Sequence, residues 1–63
     1  LARMPVIDLI VLRIAIFELM SRPDVPTAVI LNEAVELAKT FSTDESGRFV
    51  NGILSTIAKK VRL

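Results

Sequence analysis

The stretch from Pro5 to Ser21 constrains this chain more than any other part of it. Between Val6 and Met20 the only charged residues are Asp8, Arg13 and Glu18, and no glycine or proline interrupts the run. Pro5 is well placed to open a helix, because the N–H it lacks would have been unpaired in the first turn. The three charges are five positions apart, so at roughly 100° per residue they project about 140° from one another and share no polar face. A helix that is apolar nearly all round must be covered nearly all round. A strand is the competing reading, since β-branched residues are abundant, but the run is too long for one strand and does not alternate with period two. A membrane span is disfavoured, because each mid-helix charge costs several kcal/mol to insert, of order 3 kcal/mol for Asp or Arg.

Two further segments have helical periodicity. Arg22-Pro23-Asp24-Val25-Pro26 stops the first helix, since a residue before proline is pushed out of helical geometry. The spacing predicts a second helix over 27–41, with Ile30, Ala34, Leu37, Ala38 and Phe41 inward and Asn32, Glu33, Glu36, Lys39 and Thr40 outward. Glu36 and Lys39 stand at i,i+3, where they would pair. After Ser42-Thr43-Asp44-Glu45-Ser46-Gly47, read as a turn, a third helix is predicted over 46–60. Phe49, Val50, Ile53, Ile57 and Val61 form its inward stripe. Asn51-Gly52 is a hairpin signal in isolation, but the 3.6-residue stripe runs through it, and a glycine there suggests close approach by another backbone. The expected fold is therefore all-α, a small three-helix bundle with helices at about 5–21, 27–41 and 46–60 forming a single unit over 1–63.

Composition removes most chemistry. The 63 residues include no Cys and no His, which excludes disulfides, thiolate or imidazole metal sites, and Cys-His or Ser-His-Asp catalysis. The carboxylate pairs Glu33 with Glu36 and Asp44 with Glu45 fall on an exposed face and a turn, where solvated charge is the ordinary state. Two glycines cannot build a phosphate-cradling loop, and three phenylalanines are too few for a stacking platform. No enzyme activity, cofactor or metal is expected. The hydrophobic share is 52% and the mean hydropathy +0.59, a surplus for a chain of this length, which points to an apolar surface meant for something beyond it.

The net charge of +1 hides an uneven distribution. Residues 24–45 carry five acids against Lys39, a net of −4, and residues 46–63 carry Arg48, Lys59, Lys60 and Arg62 without an acid, a net of +4. Four cations on a closing helix also suit its dipole. With no basic segment leading into an apolar stretch and a cleavage site, no secretory leader is expected, and the lack of cysteine fits a reducing cytoplasmic setting. Phe17 and Phe41 lie on apolar stripes and are expected in the core. Phe49 is different, because it follows Arg48 at the start of the third helix: it either plugs the bundle or stacks an unpaired base while Arg48 holds a phosphate.

Val11-Leu12-Arg13-Ile14-Ala15-Ile16-Phe17-Glu18-Leu19, then Asp24-Val25-Pro26, then Asn32-Glu33-Ala34-Val35-Glu36-Leu37-Ala38-Lys39, then Phe49-Val50-Asn51-Gly52-Ile53-Leu54, resembles the carboxyl-terminal half of the bacterial NusB family of transcription antitermination factors. The blocks follow in the same order and spacing over nearly the whole chain. The resemblance implies one of two halves of an all-helical fold, the other half supplying further helices and an arginine-rich RNA contact. It also implies a non-catalytic adaptor that binds boxA-type leader RNA jointly with the ribosomal protein NusE and joins an antitermination complex with RNA polymerase.

Residue by residue, the resemblance places the RNA-proximal cluster at Glu45, Arg48 and Phe49, and the NusE contact at Asp8 with Ile7 and Val11 beside it. Asn51 and Gly52 match the family and are read as a polar anchor and a close-packing position, and Arg13 and Glu18 as ties between helices. Gly47, where other members carry a larger residue, is expected to loosen the start of the last helix. Self-association through the 5–21 helix is a further partner reading, and a membrane partner is not expected. Two other functions remain open: an RNA-binding accessory domain of an RNA cytosine methyltransferase, and a plain helical dimerisation module.

Overall fold

The structure, a computed structural model, describes residues 5–62. Three helices follow one another, α1 (Val6–Ser21), α2 (Thr27–Phe41) and α3 (Asp44–Val61), and no strand occurs among the described residues. The expected all-α fold is observed, with α1 and α2 at the predicted bounds to within one residue.

Prolines open the first two helices from just outside. Pro5 and Pro26 have nearly identical extended geometry, φ −57°, ψ 144° and φ −59°, ψ 143°, and neither offers a side-chain cap. Their carbonyls accept the first helical bonds, from Leu9 N–H at 3.1 Å and from Ile30 N–H at 3.2 Å. Between them, Arg22 leaves helical geometry ahead of Pro23, with φ −123° and ψ 71°. The Arg22 guanidinium lies 3.3–3.4 Å from the Asp24 carboxylate across this exposed turn. That hydrogen bond is the main reason the Asp24 carboxyl is held below its ordinary range and the Arg22 guanidinium is raised above its own.

The third helix departs from expectation at its start. It begins at Asp44, two residues before the predicted bound, so Asp44 and Glu45 are its first turn and not part of a loop. Thr43 is the cause: its Oγ1 accepts from Ser46 N–H at 3.0 Å, a side-chain cap that the other two helices lack. Two acids in the first turn then suit the positive end of the helix dipole, as Lys59 and Lys60 suit the other end.

The core is a narrow seam of Val11, Leu12, Ala15, Leu19, Ile30, Ala34, Ala38, Val50, Leu54 and Ala58. Four of these are alanines, which let the helix axes approach and leave little room for wide side chains. This corrects the expected stripes. Leu37 is 41% exposed and Phe17 and Phe41 are each 65% exposed, displaced to the rims, while Leu54 and Ala58 take the inward places on α3. Of the expected α3 stripe only Val50 is fully buried; Ile53 and Ile57 pack partly against the seam, and Phe49 and Val61 lie at its edge.

The two glycines have exchanged their expected roles. Gly47 is buried, and a Cβ there would meet Lys39 Cγ at 2.5 Å and Val35 Cγ1 at 3.5 Å, so it is the position of close approach between α2 and α3. Gly52 is exposed, and a Cβ there would meet nothing within 4 Å. Gly52→Ala should therefore stabilise the 63-residue chain by about 0.5–1 kcal/mol through helix propensity. Thermal unfolding followed by circular dichroism checks this, and a lowered Tm would show that the Gly52 face is packed.

Candidate functional site

The start of α3 is built by a small hydroxyl network. Besides the Thr43 cap, Ser46 Oγ lies 2.9 Å from Ser42 Oγ and 3.2 Å from Thr43 Oγ1, and Ser46 is buried. Gly47 N–H bonds the Thr43 carbonyl at 3.1 Å. The N–H groups of Ser46 and Gly47 are thus used within the chain and are not available to an anion. What this rigid start presents outward is side chains. Glu45, Arg48 and Phe49 are all exposed, and at i, i+3 and i+4 they share one face of α3. Phe49 is 38% exposed, so part of its ring is open to solvent.

Arg48 is also on the rim of a groove of about 610 Å³ between α2 and α3. Asn32, Val35, Glu36 and Lys39 line it from α2, and Asp44, Gly47, Arg48 and Asn51 from α3. The expected Glu36–Lys39 pair does not form: the one ion pair within 4 Å among the described residues is Arg22–Asp24. Asn51 is exposed and makes no side-chain hydrogen bond among the described residues, so it is not the polar anchor expected of it there.

The residues predicted to meet a protein partner lie on the inner side of α1. Ile7 is half-buried, Val11 is 6% exposed and Asp8 1% exposed. Asp8 Oδ1 has no hydrogen-bond partner, an acceptor buried without a donor. The outer side of the same helix exposes Val6, Leu9, Ile10, Ile14, Phe17 and Met20. The other two helices cover only part of α1, and much of the surplus of apolar side chains inferred from composition is located here. Of the matched charges expected to tie helices together, Arg13 is exposed and Glu18 half-buried, and neither side chain makes an ion pair.

One residue with a large role escaped the sequence reading. The Arg62 guanidinium, half-buried, donates to the carbonyls of Leu19 at 3.0 Å, Arg22 at 2.6 Å, Glu18 at 3.4 Å and Val25, and to Thr27 Oγ1 at 3.2 Å. It closes the carboxyl end of α1, whose last turn carries no basic residue of its own. The sequence holds no signal for a contact spanning about forty residues.

No group of three or more carboxylates suited to a metal ion occurs among the described residues, and no helix there is long and apolar enough to cross a membrane.

Comparison with known proteins adds to this geometry. The family described as "NusB family" matches residues 1–59. The chain is 56% identical over 61 residues to the transcription antitermination protein NusB of Citrifermentans bemidjiense, covering 97% of this chain and 42% of that protein. It is 57% identical over 61 residues to the NusB of Sorangium cellulosum, covering 97% and 44%, and 52% identical over 60 residues to that of Lysinibacillus sphaericus, covering 95% and 47%. The chain thus spans less than half the length of these relatives. No solved structure matches it.

Proposed function

The chain belongs to the NusB family, and from that premise we propose that it is the carboxyl-terminal helical half of a non-catalytic transcription antitermination factor. In this reading the protein binds boxA-type leader RNA together with the ribosomal protein NusE and enters an antitermination complex with RNA polymerase. The observation that carries it is identity above 50% over nearly the whole chain to proteins named as transcription antitermination proteins. The RNA surface is the exposed face of Glu45, Arg48 and Phe49, where a partly exposed ring stands next to a guanidinium with no ion-pair partner among the described residues. The protein surface is α1. Its outer side offers exposed apolar side chains to bury, whereas Asp8, Ile7 and Val11 lie on the inner side, so a partner that pairs the Asp8 Oδ1 acceptor must displace part of the seam around it. A second copy of the chain would compete for the same apolar face.

Fluorescence anisotropy of a labelled boxA leader RNA with the intact protein tests this reading. Binding should tighten when NusE is added and weaken when the boxA sequence is scrambled. Equal affinity for the two RNAs, with and without NusE, would sink it.

A further inference from the structure

The groove between α2 and α3 is lined by six polar side chains, Asn32, Glu36 and Lys39 from one helix and Asp44, Arg48 and Asn51 from the other. None of the six makes a side-chain hydrogen bond or an ion pair among the described residues, whose side-chain bonds are confined to the Arg22–Asp24 turn, the Ser42–Ser46 network, Thr56 and Arg62. Polar side chains that converge on a concavity and are left unpaired by their own chain are free to orient a ligand there. Gly47 helps keep it open, since a Cβ there would displace the Lys39 side chain, while Val35 stands at ordinary contact distance.

The donor and acceptor set is selective. Two cations suit phosphates, and Arg48 joins the groove to the face that carries Glu45 and Phe49. The amides of Asn32 and Asn51 offer a donor and an acceptor side by side, the pairing that reads adenine, and the carboxylates of Glu36 and Asp44 only accept, the pairing that suits the exocyclic amine of cytosine. Uracil has no exocyclic amine, and its single N3–H donor is flanked by two carbonyl oxygens that a carboxylate repels. A protein segment is the less fitting occupant, because the floor offers only Val35 and Gly47 as apolar contact.

We propose that this groove takes one unpaired nucleotide of the bound RNA and prefers adenine or cytosine, whose N6 and N4 amines donate to the carboxylates and amides, over uracil. The proposal rests on the RNA-binding reading above and adds a second subsite to the Arg48–Phe49 face. Anisotropy of the intact protein with labelled twelve-nucleotide oligo(A), oligo(C) and oligo(U) tests it. Oligo(A) and oligo(C) should bind about fivefold or more tighter than oligo(U), the low end of discrimination by one well-paired base edge. In the double variant Glu36→Ala/Asn51→Ala the ratio should fall toward one. The ratio is the readout, because removing an acid raises affinity for every RNA. Both positions are exposed, and unchanged circular dichroism confirms the fold. RNA binding without base preference in the wild-type protein, or a preference that survives the double variant, overturns the groove and leaves the RNA-binding reading standing. Failure to bind any of the three oligomers or boxA RNA overturns both.

Discussion

Replacing Arg62 with methionine should lower stability by about 2–3 kcal/mol, the range for hydrogen bonds to a charged group together with the acceptors left unpaired. The guanidinium reaches five acceptors in the α1 carboxyl terminus and the α1–α2 connection, among them carbonyls that no helical N–H can satisfy. Methionine keeps most of the stem's apolar volume, so the loss isolates the polar contacts. For a domain of this size the change corresponds to a fall in Tm of roughly 10–20 °C. Arg62→Lys should recover only a part, because an ammonium cannot address acceptors spread along a planar fork. Thermal unfolding of the three proteins measures both effects. Coincident melts for wild type and methionine variant would mean that the carboxyl end is not stapled to α1 in solution.

Arg62 also marks the limit of what could be read from the residues. Helix positions followed from periodicity and prolines because both are local. Thr43 as a cap was equally local, and treating Ser42–Gly47 as one turn overlooked that two acids after a threonine suit a helix start better than a loop. The aromatic residues failed for a different reason. Phe41 continues the inward stripe of α2 but stands at its exposed end, and Phe17 falls on the outer side of α1, where a helix apolar nearly all round gives periodicity no face to choose. Gly47 and Gly52 teach the same lesson, since only the facing Lys39 distinguishes a glycine required by packing from one merely tolerated. At the candidate site the sequence grouped Glu45, Arg48 and Phe49 only through the family resemblance, since its periodicity put Phe49 on the inward stripe and Glu45 in a turn. It could not bring Asn32, Glu36 and Lys39 opposite them, because that pairing depends on how α2 and α3 dock.

Alanine at both Arg48 and Phe49 in the intact protein should weaken boxA RNA binding by about ten- to a hundredfold, since one base stacked on an aromatic ring contributes about 1–3 kcal/mol and a phosphate contact adds to it. The two side chains act through different physics and separate in the measurement. Arg48 acts by charge, so Arg48→Ala should reduce the dependence of log affinity on log salt by about 0.7, one phosphate on a single strand. Phe49 acts through its ring face, so Phe49→Ala should leave that slope unchanged and lower affinity at every salt concentration. Because Phe49 is 38% exposed and partly packed on the bundle, its truncation also removes some stability. Phe49→Leu resolves the two roles: leucine preserves the buried apolar contact but offers no π face. If Phe49 stacks a base, the leucine variant melts close to wild type and binds RNA as poorly as the alanine variant. If Phe49 only plugs the bundle edge, leucine restores affinity and stability together, and the RNA surface must lie elsewhere on the protein.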